Sequence, residues 1–214
     1  IPALQLMAES VQAHGSLAAI QLAHNGHHAT GRYSRQPILA PSPTPSDWGD
    51  PWQARGMDKA DIKAFRGWHV DAAKRAKRAG FDIIYVYAGH DMTLLMHFLL
   101  ARHNHRTDEY GGSFENRLRL FREVLADTRD AAGDSCAIAV RLAVDELMGE
   151  AGLRHEVEGR DIIEALAEEP DLPQPKFGKF DRGREDGGRE RGLRDGRGSR
   201  GPSREPAEGN ATYR

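Results

Sequence analysis

The stretch "FDIIYVYAGHDM", residues 81–92, decides the fold because it is a buried strand that ends on two chemically active side chains. Its apolar residues do not alternate with polar ones, which predicts a strand over residues 82–87 that is covered on both faces. Strands of this kind belong to parallel sheets flanked by helices. The strand ends at the phenol of Tyr87, and the imidazole of His90 follows three residues later.

Helices and strands alternate on both sides of this stretch. Apolar residues that recur every three or four positions indicate amphipathic helices, whereas short apolar runs such as "CAIAVRLAV" indicate strands. Asp58 and Ser113 are side chains of the type that caps a helix N-terminus. The predicted helices occupy residues 1–13, 58–79, 113–133 and 156–167, and the predicted strands occupy residues 17–22, 82–87 and 136–144, with long loops at 24–57 and 88–112.

The order αβαβαβα predicts an α/β fold with parallel strands. Long loops after the first two strands favour a (β/α) barrel, and a doubly wound sheet is the alternative. A complete barrel needs roughly 200 residues or more, so three strands predict a partial (β/α)8 barrel, about strands 3–5 with their helices, over residues 1–172. The chain also starts directly in a helical pattern, "IPALQLMAES", which suggests that an earlier part is missing.

Residues 173–214 form a second kind of sequence, rich in Arg and Gly, which predicts a disordered tail because it has too few apolar residues to offset its ordering entropy. Acidic residues alternate with the arginines, and stacking aromatics are lacking between Asp181 and Gly209, so nucleic acid is an unlikely partner. The tail follows abruptly after "EALAEEPDL". This change of pattern leads to the hypothesis of a shifted or truncated reading frame.

The remaining composition excludes several classes of protein. The formal net charge of −2 indicates no particular partner. Cys136 is the single cysteine, so this chain supplies no disulfide framework and no cysteine-ligated zinc or iron–sulfur site. A reducing, cytoplasmic location fits this cysteine usage. A signal peptide and a membrane span are not predicted, because the chain shows no long apolar run.

The carboxyl ends of the three predicted strands bring candidate site residues to one mouth. They are Gln21, the pair Tyr87 and His90, and Arg141. An amide and a guanidinium suit a planar heterocycle that carries carbonyl and ring-nitrogen acceptors. In the structural alternative, Gln21 fills a layer of the barrel interior and Arg141 pairs with Asp145 or another acid.

Two further motifs are predicted to carry neither a metal nor catalytic chemistry. The segment "HNGHH" holds His24, His27 and His28, but neither a cysteine nor a suitably spaced acid completes a ligand set, so they are expected to be loop and substrate-mouth histidines and a metal site is not predicted. The segment "RTDEYGGSFENRLRL", residues 106–120, combines turn residues with charge. Its residues Arg106, Asp108 and Arg117 are expected to form one ion-pair network that holds the loop.

Four segments in this order resemble the old yellow enzyme / NADH:flavin oxidoreductase family, namely "AAIQLAHNG", "GFDIIYVYAGHDM", "RTDEYGGSFENRLRLFREVL" and "CAIAVRLAVDE". The similarity is greatest to the branch of trimethylamine dehydrogenase and the N-demethylating dehydrogenases. It implies a barrel that holds FMN at its mouth. By this resemblance Gln21 and Arg141 bind the flavin, and Tyr87 and His90 are the catalytic pair over its face.

The implied activity is oxidation of small methylated amines or N-methyl amino acids, with a small-molecule amine as partner. Enoate-reducing relatives carry a His/Asn or His/His pair where Tyr87 and His90 stand, and a tyrosine where Met92 stands. The alternatives are an NAD(P)H-dependent ene reductase of the same family and a non-catalytic remnant without flavin. The strands that carry the family's FMN phosphate site and the cysteines of its iron–sulfur branch are missing here, so this chain alone is expected to be inactive. The sequence predicts no oligomeric state.

Overall fold

The computed structural model describes residues 1–31, 35–46 and 53–167. The α-helices are α1 (Pro2–Gln12), α2 (Lys59–Arg78), α3 (Leu94–Leu99), α4 (Phe114–Ala132) and α5 (Arg160–Ala167), and the strands are β1 (Ala19–Leu22), β2 (Leu39–Ala40), β3 (Thr44–Pro45), β4 (Gln53–Gly56), β5 (Ile83–Ala88) and β6 (Ala137–Leu142). The predicted tail, residues 173–214, lies outside the described residues. Within the described ranges, no helix has the length and apolar character that crossing a bilayer requires.

The main sheet consists of the three predicted strands in the order β1-β5-β6, and both pairings are parallel. This confirms the α/β class. Only the central strand is buried as predicted: β5 alternates between buried and half-buried positions and then ends in three buried residues, whereas β1 and β6 have exposed positions along their length. The prediction of full burial is wrong for the two outer strands because each has a neighbour on one side only.

The two long helices begin at the predicted caps. The carboxylate of Asp58 accepts a hydrogen bond from the backbone N–H of Asp61 at 2.8 Å, and the carboxylate of Asp61 accepts one from the N–H of Asp58 at 2.9 Å. This reciprocal capping box fixes the start of α2. The hydroxyl of Ser113 caps α4 by accepting a hydrogen bond from the backbone N–H of Asn116 at 3.3 Å, and Gly133 follows that helix with a positive φ of 58°, which favours glycine.

The core lies between β5 and the two long helices. The predicted apolar faces of α2 and α4 meet here and close over the strand; the buried residues include Ile62, Phe65, Val86, Leu118, Phe121 and Val124. Arg66 on α2 also donates hydrogen bonds to Asp127 at 2.6 Å and Glu123 at 3.0 Å on α4. The pattern of α1 predicts an apolar face of Leu4, Met7, Ala8 and Val11, and this is right for the buried Ala8 and the half-buried Leu4 but wrong for Met7 and Val11, which are exposed.

The two long loops contain structure that the sequence did not reveal. The first holds a short 3₁₀ helix, Gly26–His28, and a small sheet in which β4 pairs with β2 in parallel and with β3 in antiparallel fashion. The second holds α3, whose six residues are all buried and whose first turn is capped by Thr93. A helix buried on every side has no amphipathic period, so its pattern did not distinguish it from loop.

The predicted ion-pair network of the second loop is confirmed in part. Arg106 pairs with Asp108 at 2.5 and 2.9 Å and donates to the backbone carbonyl of Pro41 at 3.0 Å, which ties the two long loops together. Arg117 does not belong to this network. It donates instead to the carbonyl of Leu99 at 2.7 Å and to Glu158 at 2.8 Å, because its position on α4 directs it towards α3 and the segment before α5.

Candidate active site

The strand register brings the predicted site residues onto one face of the sheet. Tyr87 lies directly beside Arg141, and Gln21 lies beside Tyr85 on the same central strand. Residues two apart on a strand point to the same face, and aligned residues on parallel neighbours do so too. Gln21, Tyr87 and Arg141 therefore share a face at the carboxyl ends of the three strands.

Arg141 contacts both of the other residues. Its guanidinium donates a hydrogen bond to Oε1 of Gln21 at 3.1 Å, and its Cζ lies 5.0 Å from the centroid of the Tyr87 ring, a cation–π contact. The alternative pairing of Arg141 with Asp145 is wrong, because that carboxylate accepts a hydrogen bond from His155 at 2.6 Å. The hydrogen bond from His155 lowers the pKa of Asp145.

Tyr87 and His90 form the hydrogen-bonded pair whose spacing was noted in the sequence. The phenol oxygen of Tyr87 is bonded to Nδ1 of His90, and the two ring centroids are 5.8 Å apart. Tyr87 is 8% exposed at the end of β5, whereas His90 is exposed in the turn that follows. The pair thus joins a fixed phenol to an accessible imidazole.

The turn that carries His90 has an unusual backbone. His90 has a φ of 59° and Asp91 a φ of 50°, so two consecutive non-glycine residues occupy the left-handed region. This region costs a non-glycine residue roughly 1 kcal/mol or more, and such residues concentrate at functional sites. Gly89 precedes them, and a Cβ there would lie 2.8 Å from the ring of Tyr87, so only glycine lets the chain turn this closely.

Asp91 anchors this turn at three points. Its backbone N–H contacts the sulfur of Met96 at 3.1 Å, its carbonyl accepts from Nε2 of His97 at 3.0 Å, and its carboxylate accepts from His103 and Arg102. Burial alone would raise the pKa of Asp91, but the hydrogen bonds from His103 and Arg102 outweigh it and hold the pKa well below its usual range. The carboxylate therefore remains charged.

The contacts of Asp91 extend through Arg102 into the loop after β6. Arg102, which contacts Asp91 at 2.8 Å, also forms a two-pronged pair with Glu146 at 2.6 and 2.7 Å. Glu146 in turn accepts from the backbone N–H of Leu153 at 2.8 Å. Asp91, Arg102 and Glu146 were not predicted as site residues, because their contacts join the second long loop to the loop after β6 and have no local spacing.

The three histidines of "HNGHH" divide into two groups. The ring of His24 packs against Phe65 and Trp68, with centroid distances of 5.6 and 6.3 Å, and burial lowers its pKa. His27 and His28 instead meet His97 of α3, and one ring nitrogen from each of the three lies within 4.8 Å of the others. The third residue that sequence reasoning lacked is thus supplied from a distant helix.

The donor set fits the polar edge of a flavin. Arg141 presents five N–H donors, one of which is used by Gln21, and Gln21 retains its amide N–H groups. Both side chains are exposed at the strand ends. They suit adjacent carbonyl and ring-nitrogen acceptors, as the pyrimidine portion of FMN provides. Cys136, the single cysteine, is buried with its thiol against the carbonyl of Phe81 at 3.1 Å, so it adds nothing to this site.

Known proteins share the sequence and the fold of this chain. Residues 1–175 match the NADH:flavin oxidoreductase / NADH oxidase family. The chain is 35% identical over 191 residues to dimethylamine dehydrogenase of Hyphomicrobium sp. (strain x). The match covers 86% of this chain and 26% of that protein. The solved structure of histamine dehydrogenase from Rhizobium sp. 4-9 matches with a TM-score of 0.75 and 46% identity, over 78% of this chain and 24% of that one.

An old yellow enzyme also matches. The structure from Pichia sp. AKU4542 has a TM-score of 0.67 and 31% identity, over 78% of this chain and 46% of that one. The predicted partial (β/α)8 barrel is therefore confirmed, and the doubly wound sheet is excluded. The chain spans between about a quarter and a half of the length of these three proteins.

Proposed function

The chain belongs to the NADH:flavin oxidoreductase / NADH oxidase family, a family of oxidoreductases, and on this basis we propose that it forms the amine-binding side of an FMN-dependent enzyme that oxidises small methylated amines or N-methyl amino acids. The hydrogen-bonded pair of Tyr87 and His90 beside Arg141 carries the proposal. Because the chain spans only part of its relatives' length, the proposed activity is that of a barrel that includes these residues.

Gln21 and Arg141 hold the cofactor in this proposal. When bound, FMN supplies a two-electron acceptor for a hydride from a carbon next to nitrogen. The guanidinium of Arg141 favours negative charge that develops beside it. Its hydrogen bond to Gln21 and its contact with the ring of Tyr87 fix its direction, so that the cation needs little reorganisation. A preorganised cation is worth more than a mobile one in such a site.

Tyr87 and His90 control the proton of the substrate. An alkylamine is protonated at neutral pH, and a cation does not readily release hydride. The phenol of Tyr87 is hydrogen-bonded to Nδ1 of His90. Nε2 of His90 therefore lies on the opposite side of the ring, where it can exchange a proton with the amine. The pair therefore binds the amine, takes its proton and leaves it neutral and oriented.

The names of two relatives support an amine as substrate. One is called dimethylamine dehydrogenase and the other histamine dehydrogenase. The family description and the old yellow enzyme match support the second candidate, an NAD(P)H-dependent ene reductase. Tyr87 weighs against it, because the reducing relatives hold a carbonyl oxygen with a His/Asn or His/His pair at this place.

Anaerobic mixing of an FMN-loaded complete barrel that includes these residues with each class of substrate tests the proposal. Methylated amines are expected to bleach the visible flavin band without NAD(P)H, and Tyr87→Phe is expected to slow this bleaching. The ene-reductase alternative predicts the opposite pattern, in which only NAD(P)H bleaches the band and an α,β-unsaturated ketone restores it. That pattern would overturn the proposal.

A further inference from the structure

His27, His28 and His97 come together from two separate segments, and we propose that they form a binding site for one divalent transition-metal ion of the zinc type. The first two lie in the 3₁₀ helix after β1, and the third lies in α3 after β5. One ring nitrogen of each is within 4.8 Å of the others. His27 and His97 are completely buried, so the cluster is not a chance meeting of surface side chains.

The cluster has the right scale for three imidazole ligands. The ring centroid of His27 lies 4.1 Å from that of His28 and 3.9 Å from that of His97. In a tetrahedral zinc site with Zn–N bonds of about 2.0–2.1 Å, ligand nitrogens are roughly 3.4 Å apart. The present separation of up to 4.8 Å is larger than this, so ion binding requires the ring of His27 to tilt out of its stack on His97 while His97 keeps its hydrogen bond.

The hydrogen bond of His97 selects the ring nitrogen that would bind the metal. The backbone carbonyl of Asp91 can only accept, so Nε2 of His97 carries the hydrogen and donates it over 3.0 Å. Nδ1 is then left with a lone pair, and it is buried without a hydrogen-bond partner among the described residues. Metal-ligating histidines commonly donate their second nitrogen to a carbonyl in this way.

His97 is in the protonation state that a metal ligand needs. Burial lowers the pKa of His97 to about 3, which keeps the imidazole in the neutral form that binds metals. The charged carboxylate of Asp91 lies 3.6 Å from Nε2 of His97 and favours the hydrogen on that nitrogen, which leaves Nδ1 for an ion. His27 and His28 need to use only one nitrogen each, so contacts of their second nitrogens are compatible with ligation.

The site would connect to the proposed active site through Asp91. His97 holds the carbonyl of Asp91, and that residue forms the left-handed turn with His90. An ion on Nδ1 would strengthen the donor character of Nε2 and stabilise this turn. Ion binding by these three histidines is independent of the amine reaction, because it needs neither flavin nor substrate.

Calorimetric titration of the full chain, produced without a polyhistidine tag, with Zn²⁺ alone tests the site. The expected result is one ion per chain with a micromolar or lower dissociation constant. His97→Gln and His28→Gln are each expected to weaken binding by about 100-fold or more, since loss of a residue that merely supports a ligand already costs roughly 10- to 100-fold. His14→Gln, at an exposed position, is the matched control and keeps the affinity of the parent.

A second measurement covers the case in which replacement of the buried His97 prevents folding. Co²⁺ in the parent chain should give the visible absorption of a tetrahedral site, and the half-buried His28→Gln, checked by circular dichroism, should lose it. Absence of saturable Zn²⁺ binding by the parent chain would overturn the proposal. Binding and Co²⁺ absorption that survive in His28→Gln would do so as well.

Discussion

Arg141 donates a hydrogen bond to Gln21 at 3.1 Å, although 120 positions separate the two residues and the strand β5 lies between theirs. The contact spans the sheet from one outer strand to the other. Beneath it lies the ring of Tyr87, 5.0 Å from the guanidinium carbon. The residues proposed to bind the cofactor and the catalytic phenol thus form one connected group, and a change in one of them should be felt by the others.

Replacement of Arg141 should weaken flavin binding by an amount that depends on geometry as well as charge. Arg141→Gln removes both the charge and the fork of donors, and a hydrogen bond to a charged group contributes about 1.5–3 kcal/mol. We expect the FMN dissociation constant of the holoenzyme, measured by quenching of flavin fluorescence, to rise about 10- to 100-fold. Arg141→Lys keeps the charge and should recover only part of the loss.

The matched control is Arg78→Gln, which removes an exposed arginine from the end of α2. It should leave the FMN affinity unchanged. Equal affinities for Arg141→Gln and Arg78→Gln would contradict the assignment of Arg141 to the cofactor.

Tyr87→Phe should separate the proton-handling role from binding. The variant keeps the ring under Arg141 but loses the bond to Nδ1 of His90. General acid–base groups contribute roughly 10²- to 10⁴-fold, so we expect flavin bleaching by amines to slow about 10²-fold or more with a displaced pH dependence. Tyr110→Phe, which removes a phenol bonded to Glu123 on α4, should change neither. An unaltered pH profile in Tyr87→Phe would contradict this role.

Asp91→Asn should loosen the turn that carries His90. Asn tolerates the left-handed region as well as Asp does, so the substitution removes the charge without adding backbone strain. The lost pairs with Arg102 and His103 should lower the free energy of unfolding by about 1–3 kcal/mol, measured by urea denaturation at pH 7. Asp134→Asn, at an exposed position after α4, should have little effect.

The destabilising effect of Asp91→Asn should also depend on pH. The pKa of Asp91 is lowered in the folded chain, so its contribution is complete above the ordinary Asp value of about 3.9 and is lost as the pH falls through the folded value. The difference between parent and Asp91→Asn should therefore shrink below about pH 4. A difference that stays constant into acid would show that the carboxylate charge is not what holds the turn.

His69 should make the fold sensitive to mild acid. Burial on α2 lowers its pKa from 6.5 to about 4, against a smaller opposing effect of Asp127. The unfolded chain therefore binds more protons between these values, and stability is lost as the pH falls from 6.5 towards 4. His69→Phe should remove up to about 3 kcal/mol of this loss, because one pKa unit corresponds to roughly 1.4 kcal/mol. The loss is measured as the difference between the free energies of unfolding at the two pH values. His14→Phe, at an exposed position, should show the same dependence on pH as the parent.

The sequence predicted the parts of the fold that have a local period. The helices α2 and α4 were found because their apolar residues recur at helical spacing behind Asp58 and Ser113, and β5 was found from its apolar run. The helix α3 was missed because it is apolar on all sides, and the small sheet of β2, β3 and β4 because its strands have only two to four residues.

The sequence predicted only those site residues that lie at the end of a strand or directly after it. Tyr87 and His90 were visible as neighbours in sequence, and Gln21 and Arg141 were placed by the position of their strands. The pairing of Asp91 with Arg102, and the meeting of His97 with His27, depend on how loops fold over the sheet. No periodic pattern encodes such contacts, and the structure was needed to reveal them.

The most direct test of the central claim is the visible spectrum of the FMN-loaded complete barrel that includes these residues, recorded during anaerobic mixing with a methylated amine and compared with that of its Tyr87→Phe variant. The account predicts that the flavin band of the parent bleaches in the absence of NAD(P)H and that the variant bleaches about 10²-fold more slowly or slower still. A parent spectrum that no amine changes, and that only NAD(P)H bleaches, would contradict it.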